Sequence, residues 1–571
     1  EEPDLADTDD DEEEEEDSQS QCHNTDGEEE SDEEPVCHAD FNRRKALKLV
    51  DEYVRSVNLS HDKNLAVNIM QDHFLCLRDG IGHSKEYEAP ILNITGGPGV
   101  GKSFLVKVLD DISTIVQAGD QLRMALYGIA AVNIDGMSLM SMMDIPIDCS
   151  KDQQRVREWD ERKLLMFKKK YDMSKISCII IDEISTLKPY MLAYLNARLQ
   201  TACNSTKPFG GLAVIMFGDF DQLPPVGGPS IPEVAMMVLE KKLTKRNTIY
   251  NNKKWNVTTI VRQGVELFKT AKLIKLTTQH RSEDAEHTAL LERMSEGETI
   301  TAHDLRNYET LNVSDEDFEF ATILTPGNRE RQEFNHIQAK RWARKHRTNV
   351  VRWPKRIREK TWKGKPRSPE NVKRAMEESC FWEMYVPEAL GYLTFNINTN
   401  KRLANGILIK YHSVSFGDAD RLDNFERRLD GAAPGEVITL DRPPDVMNVE
   451  LFPDLKEDSD KIREMKAELR RMWKHGSLPD CPGKIVIPIE LASKKFVKYK
   501  VAQIRGAGGS SRYFPSKVEL ADWFPIEPAF SVTIHKAQVS NPSVFCSCCI
   551  HDSYVSVYSS VGLVRRIRGG R

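Results

Sequence analysis

Hydrophobic positions along the chain fall into two main patterns. Residues 91–95 (ILNIT), 177–181 (SCIII) and 212–217 (LAVIMF) are short, nearly unbroken apolar runs. Runs of that length, closed by Gly, Asp or Glu, predict strands buried on both faces. Residues 123–128 (RMALYG) predict a further short strand that enters the turn GIAAVNIDG. Residues 41–78, 104–109 and 151–170 instead mix charge and apolar side chains at helical spacing. Buried strands alternating with helices predict an α/β fold, a parallel sheet with helices packed on each face. A second sheet is expected to start near 321–325 and to return at 530–534. Between them, about 341–523 is rich in charge, Pro and short β patterns such as GKIVIPIEL, and predicts a β-barrel-like insertion. The expected division is 1–40, 41–265 and 266–571, with the insertion inside the last unit. No repeat of fixed period is evident.

Length and charge change this picture in one respect. At 571 residues, 40% of them hydrophobic, the chain is long enough for more than one core. Its net charge is −7, but residues 1–40 hold 21 Asp or Glu and no Lys or Arg, which leaves the rest at +14. A basic body with an acidic tail suits a polyanion-binding protein whose tail competes for its own groove. A disordered tail that only solvates is the plainer alternative. The acidic start argues against a secretory or Arg-rich transit signal at this end. No apolar run reaches the roughly 18 residues that a membrane-spanning helix needs.

Eleven widely spread cysteines suggest a reducing compartment rather than a disulfide scaffold. Cys22-His23 and Cys37-His38 supply four zinc-type ligands, but as adjacent pairs in an acidic low-complexity stretch, which speaks against a zinc site. Cys546, Cys548 and Cys549 lie in an apolar run and read as buried residues.

The strand at 91–95 runs into Gly96-Gly97-Pro98-Gly99-Val100-Gly101-Lys102-Ser103, a G-x-x-x-x-G-K-S phosphate-binding loop between strand and helix. Glycines let the backbone curl so that its N–H groups face phosphates, and a helix N-terminus adds positive potential there. Lys102 is expected to reach the β- and γ-phosphates, and the Ser103 hydroxyl to ligate Mg2+. The competing reading is a glycine-rich turn that binds nothing. Residues 179–183 (IIIDE) deliver two carboxylates to the C-terminal edge of the same sheet. Asp182 is placed to hold Mg2+, and Glu183 to polarise an attacking water as general base. Residues 218–226 (GDFDQLPPV) then present Gln222 on a tight turn, where it can sense a γ-phosphate; an ordinary surface turn is the alternative.

GGPGVGKS, GIAAVNIDG, IIIDEIS, GDFDQLPPV, LTTQHR and TIHKAQ occur in the order found in the Petite Integration Frequency helicases. The chain resembles that family, which is superfamily 1 and related to RecD-type helicases, with Helitron-type helicases most similar in appearance. The resemblance runs from about residue 59 to the C-terminus and is poor over 341–390. It implies two RecA-like P-loop NTPase lobes with ATP and Mg2+ between them, the β-barrel insertion in the second lobe and a disordered acidic N-terminal tail outside them. It further implies an ATP hydrolase and DNA helicase moving 5′ to 3′ on single-stranded DNA, with forked duplex DNA as a partner. It also implies no membrane, a monomer in the absence of DNA, and action in the nucleus or alternatively the mitochondrion. DNA repair, recombination, telomere maintenance and transposition are the processes it suggests. Position by position, Arg281 matches the second-lobe arginine that reaches the γ-phosphate. Thr533, His535 and Lys536 match the motif that touches DNA and couples it to ATP. Leu403-Ala404-Asn405-Gly406 resembles the turn that opens the β-barrel insert.

Several positions depart from the family pattern. The usual Ala-Pro-Thr-Gly is Ala125-Leu126-Tyr127-Gly128, and Thr-Ile-His-Ser is Ser138-Leu139-Met140-Ser141. Lys63 stands near the place of the adenine-reading glutamine, and Val539 replaces a glycine after Gln538. Leu563 falls where a second arginine finger belongs, with Arg565 and Arg566 as nearby substitutes. Such a finger contributes roughly 10³–10⁵ in turnover, so its loss predicts ATP binding with slow hydrolysis. The rival reading is therefore a catalytically weak, ATP-gated nucleic-acid-binding protein; a P-loop ATPase acting on proteins fits TIHKAQ and the basic body less well. Residues 341–374 add Lys and Arg interleaved with Trp342, Trp353 and Trp362. That composition suits either single-strand binding, with Arg352, Lys355 and Arg356 as contacts, or an insertion with tryptophans packed beneath it.

Overall fold

The computed structural model describes most of residues 38–537 together with 565–567; the longest internal stretches outside the description are 147–154, 311–319, 359–380 and 452–459. Two helices lead in, α1 (His38–Val57) and α2 (His61–Arg78). There follow β1 (Ile91–Thr95), α3 (Lys102–Val116), β2 (Asp120–Ala125), α4 (Gly128–Asn133), β3 (Met137–Ser138) and α5 (Leu139–Met143). Next come α6 (Glu161–Lys170), β4 (Ile176–Asp182), α7 (Pro189–Cys203), β5 (Ala213–Gly218) and α8 (Ile231–Leu239). A hairpin of β6 (Asn247–Tyr250) and β7 (Lys253–Asn256), then α9 (Thr259–Lys269) and β8 (Lys272–Lys275), complete this region.

Six of these strands form one sheet in the order β3-β2-β4-β5-β1-β8, with every pair parallel. The apolar runs explain the sheet, because each central strand has a hydrophobic layer on both sides. On β4, Cys178 and Ile180 join the core under α1, α2 and α3, while Ile179 and Ile181 join the opposite core under α7 and α9. On β5 the same alternation sends Ile215 and Phe217 one way and Val214 and Met216 the other. This is the α/β lobe that the strand pattern predicts. Its sheet runs past the expected boundary at 265, since β8 pairs with β1 from Leu92↔Lys272 to Thr95↔Lys275. Helix α6 is shorter than the charged run suggested, starting only at Glu161, where Asp160 caps it.

Beyond lie α10 (Ala285–Ser295), β9 (Tyr308–Thr310), β10 (Ile323–Thr325) and α11 (Asn328–Lys345). The antiparallel region contains β11 (Val350–Pro354), β12 (Ile357–Arg358), β13 (Trp382–Tyr385), β14 (Leu390–Leu393), β15 (Leu408–Ser415), β16 (Val437–Thr439), β17 (Val446–Leu451) and β18 (Val486–Glu490). Here the described strands form a five-stranded antiparallel sheet, β18-β17-β15-β14 closed at its other edge by Ile526–Pro528, and a three-stranded β13-β11-β16 sheet. Its core takes Trp353, Tyr411 and Phe524 together with Ile129 and Ala131 of α4, so the insertion packs directly on the first lobe. Asp135 and Arg402 add an ion pair at 2.9 Å across that contact.

The expected second parallel sheet is represented by β10 and Ser531–Thr533, paired parallel from Ile323↔Ser531 to Thr325↔Thr533. Helix α11 anchors the pair, with Asn335 Oδ1 accepting from Ser531 N at 2.8 Å. No described helix is long and apolar enough to cross a membrane.

Candidate active site

The site lies at the C-terminal edge of the parallel sheet, where three strand ends meet. Strand β1 ends at Thr95, the loop 96–101 follows, and α3 begins at Lys102. Gly101 caps α3 in the left-handed region (φ 87°), a conformation that a side chain would strain. The loop is tied to β5, with Gly96 N donating to Gly218 O at 3.2 Å. Lys102 Nζ donates to Gly96 O at 2.7 Å and Gly97 O at 3.0 Å, so its ammonium lies inside the curl. Ser103 is exposed on the first turn of α3.

Asp182 closes β4 in register with Ala125 of β2, and its Oδ1 accepts from Glu183 N at 2.8 Å. Glu183 adopts a left-handed backbone (φ 56°), rare for a non-glycine residue and a mark of a constrained position. Burial raises the pKa of Asp182, against the opposing pull of the Glu183 N–H and the Lys102 charge. Glu183 is also raised, first by burial and then by the neighbouring negative charge of Asp182. Acids close enough to repel one another, with a lysine beside them, form a site that gains by binding a cation or a proton.

Asp219, just past β5, completes the cluster. It is buried, and burial holds its pKa above the usual carboxylate range. Its Oδ2 accepts from Gln222 Nε2 at 2.8 Å and its Oδ1 from Asp221 N at 3.1 Å, so Gln222 is aimed by Asp219. The sequence singled out the GDFDQ stretch but assigned only Gln222. The signal for Asp219 was an acid immediately after a fully buried strand.

Hard oxygen donors of the Ser103 and Asp182 type fit Mg2+. Asp182 has one carboxylate oxygen engaged by the Glu183 N–H, and Ser103 is exposed on the loop side. Among the described residues there is no cluster of three or more His, Cys, Asp or Glu able to hold a metal. The zinc candidates Cys22, His23, Cys37 and His38 lie outside the described residues.

Arg281, His535 and Lys536 also lie outside the described residues, as do Val539 and Leu563. Thr533 is half-buried at the end of its strand, beside Thr325. Arg565 and Arg566 lie on a short strand paired antiparallel with β9. Tyr127, where the family has threonine, is half-buried against the insertion core; burial raises its pKa, and the Glu183 charge adds to the rise.

In the described part of the basic and aromatic stretch at 341–374 the tryptophans are packed, while Arg344, Lys345, His346 and Arg347 are exposed. Trp353 is fully buried, and its Nε1 donates to Glu383 Oε2 at 2.8 Å. Trp342 stacks on His346 at 3.8 Å between ring centroids and donates to Pro387 O at 3.1 Å. Arg352 lies over Trp382, 4.4 Å from the ring centroid, and donates to Thr439 Oγ1 at 3.0 Å. Lys355 is buried. Of the two readings of this stretch, packed tryptophans describe Trp342 and Trp353; Arg356 and Trp362 lie outside the described side chains.

Residues 77–304, which carry the loop, both acids and Gln222, match the family model described as PIF1-like helicase. Over this segment the chain is similar to PIF1-like helicases. Curated relatives align with part of the chain. The ATP-dependent DNA helicase PIF5 of Trypanosoma brucei brucei is 31% identical over 148 residues, 25% of this chain and 15% of that protein. The ATP-dependent DNA helicase RRM3 of Saccharomyces cerevisiae is 31% identical over 153 residues, 27% and 21% of the two chains. The ATP-dependent DNA helicase Pif1 of Bdellovibrio bacteriovorus is 34% identical over 134 residues, 23% and 29%. The chain thus spans less than a third of the length of each of these relatives. Among solved structures, a Pif1 helicase from Bacteroides in complex with ADP-AlF3 and ssDNA is 18% identical, covers 84% of each chain and gives a TM-score of 0.47. The Candida albicans Pif1 helicase is 18% identical over 84% of this chain and 86% of that one, with a TM-score of 0.43. The matched residues 77–304 include the parallel sheet and its polar edge.

Proposed function

We propose that the chain is an ATP-dependent DNA helicase that moves 5′ to 3′ on single-stranded DNA and opens forked duplexes. The observation that carries this reading is the meeting of Lys102, Asp182, Glu183 and Gln222-bearing Asp219 at one sheet edge, within the PIF1-like region. In this reading the loop 96–103 binds the phosphates of ATP, and Ser103 and Asp182 hold Mg2+, which supplies charge neutralisation on the phosphates. Glu183 takes the proton of the attacking water, and its raised pKa suits a group that must accept and return one. Gln222 reads the terminal phosphate, held in place by Asp219. Arg281 would close the site from the second lobe, and Thr533, His535 and Lys536 would carry the change to DNA. The division 1–40, 41–265 and 266–571 goes with this reading, its second boundary moved past β8. So do a monomeric state without DNA and a nuclear or mitochondrial place of action.

Strand-displacement assays with 5′-tailed and 3′-tailed duplexes test the proposal. ATP-dependent release from the 5′-tailed substrate alone is expected; release from neither, with no DNA-stimulated hydrolysis, would sink it. Leu563 favours the second reading, an ATP-gated nucleic-acid clamp with slow turnover. A large gain in DNA-stimulated hydrolysis for Leu563→Arg would select that reading, because a restored finger contributes roughly 10³–10⁵ in turnover.

A further inference from the structure

Past β8, residues 276–280 run along the outside of the phosphate loop. Leu276 N donates to Thr95 O at 2.7 Å, extending the β1–β8 ladder by one bond. The Leu276 carbonyl closes in on Gly96, where an added Cβ would come within 2.7 Å of it. Gln279 Nε2 donates to Pro98 O at 2.8 Å, and His280 N donates to Gly99 O at 3.0 Å.

Helix α2 holds this segment from the other side. Asp62 Oδ2 accepts from Thr277 N at 2.7 Å. The Lys63 ammonium lies 2.8 Å from His280 Nε2 and 3.1 Å from Ser60 Oγ, and its stem covers Gly101. Lys63 is only 1% exposed, unusual for a lysine. An ammonium carries donors and no acceptor, so it makes His280 Nε2 the accepting nitrogen.

The direction of these bonds matters for the loop. A trans peptide puts its C=O and N–H on opposite sides of the chain. Drawing the Pro98 and Gly99 carbonyls outward therefore turns the N–H groups of Gly99 and Val100 inward. Inward backbone N–H groups are what an anion-binding nest consists of.

We propose that residues 276–280 are a strap that holds the phosphate loop in its binding conformation, with Gln279 and His280 as positioning residues and Lys63 as the lock on His280. The strap touches the loop's carbonyls and leaves its inner face to the phosphates. This inference rests on the nucleotide reading of the loop and adds the residues that shape it.

Calorimetric titration of the full chain with ADP, inorganic tripolyphosphate and adenosine tests it. Gln279→Leu keeps roughly the size of the side chain and removes its donor to Pro98 O, together with the Oε1 that accepts from His280 N at 3.0 Å; that N–H keeps Gly99 O as its acceptor. Loss of one net hydrogen bond is expected to weaken ADP and tripolyphosphate alike by roughly fivefold. Adenosine, which carries no phosphate, should bind as it does to the wild type. Lys63→Met should act in the same direction by roughly twofold to threefold, since the His280 backbone bond to Gly99 survives it. Should Lys63→Met fail to fold, Gln279→Leu still decides the matter from a half-buried position. Unchanged ADP and tripolyphosphate affinity in Gln279→Leu overturns the strap, as does an equal loss for adenosine, which would mean general distortion. A wild-type chain that binds neither phosphate ligand overturns the nucleotide reading of the loop itself, a result distinct from failure of the strap.

Discussion

Asp182, Glu183 and Asp219 stand at the edge of the parallel sheet, and Glu383 stands inside the antiparallel core; burial raises the pKa of all four. Glu383 is committed to its surroundings. Its two oxygens accept from Trp353 Nε1 at 2.8 Å and Phe524 N at 3.1 Å, and the Lys355 charge is close by. The acids at the sheet edge repel one another, face Lys102 and lie beside the loop. Burial alone thus does not mark a reacting group. What distinguishes the sheet edge is three acids gathered beside a lysine and the loop, with Glu183 raised by the charges of Asp182 and Asp219 as well as by burial.

The largest expected effect separates the two regions by chemistry. Glu183→Gln should lower ATP turnover by roughly 10²–10⁴, the usual range for loss of a general base, while nucleotide affinity stays close to wild type. Glu383→Gln keeps an acceptor for one of the two donors, Trp353 Nε1 or Phe524 N, and lies away from the sheet edge, so it should leave turnover nearly unchanged. Steady-state hydrolysis of both variants makes the comparison. A fall of the same size in Glu383→Gln would erase the distinction.

The next effect inverts the comparison, on stability. Glu383→Leu leaves the Trp353 and Phe524 N–H groups without their acceptor, at a cost of about 1–3 kcal/mol for each buried donor. The same residue gives a pH signature. Its pKa stands at about 7 in the fold against an ordinary 4.5, so the folded chain holds this proton more tightly than the unfolded one. The resulting stabilisation is full below pH 4.5 and is lost as pH rises through 7. Relative to Glu383→Gln, the wild type should lose about 3 kcal/mol across that window, at ~1.4 kcal/mol per pH unit. Urea unfolding at pH 5 and pH 8 reads the difference, and an equal shift in both proteins would mean that Glu383 does not titrate in the fold.

The same contrast explains how far the sequence could be read. The parallel sheet was legible because its strands are buried on both faces, leaving apolar runs that end in the residues of the site. Lys102 came from the G-x-x-x-x-G-K-S loop, Asp182 and Glu183 from the end of a buried strand, and Gln222 from the turn GDFDQLPPV. Asp219 was harder, because its role is to aim Gln222 and no spacing rule announces that. The strap was not legible at all: the Lys63–His280 contact joins residues 217 positions apart in sequence. In the insertion, alternating and charged segments gave the strands but not which face was covered. For Trp353 in VVRWPKR the sequence left strand-binding and packed readings both open, and period-2 alternation puts it opposite Arg352, on the inward face.

The smallest expected effect is one of the most informative about the insertion, because its near absence is the result that counts. A base stacked on an aromatic side chain contributes ~1–3 kcal/mol, so truncating a true stacking tryptophan should weaken single-stranded DNA binding by roughly fivefold to a hundredfold. Trp342 packs its ring against Phe320, Phe530 and the exposed His346, and its N–H is bonded to Pro387. Trp342→Phe should therefore change the affinity for a labelled oligonucleotide by less than about twofold, a size set against that stacking range. The same substitution should lower thermal stability, since it removes a part-buried hydrogen bond and part of a packed ring. A larger loss of affinity, with stability unchanged, would return the tryptophan to the DNA surface. It would also mean that the insertion, like the sheet edge, keeps a working group among its packed ones.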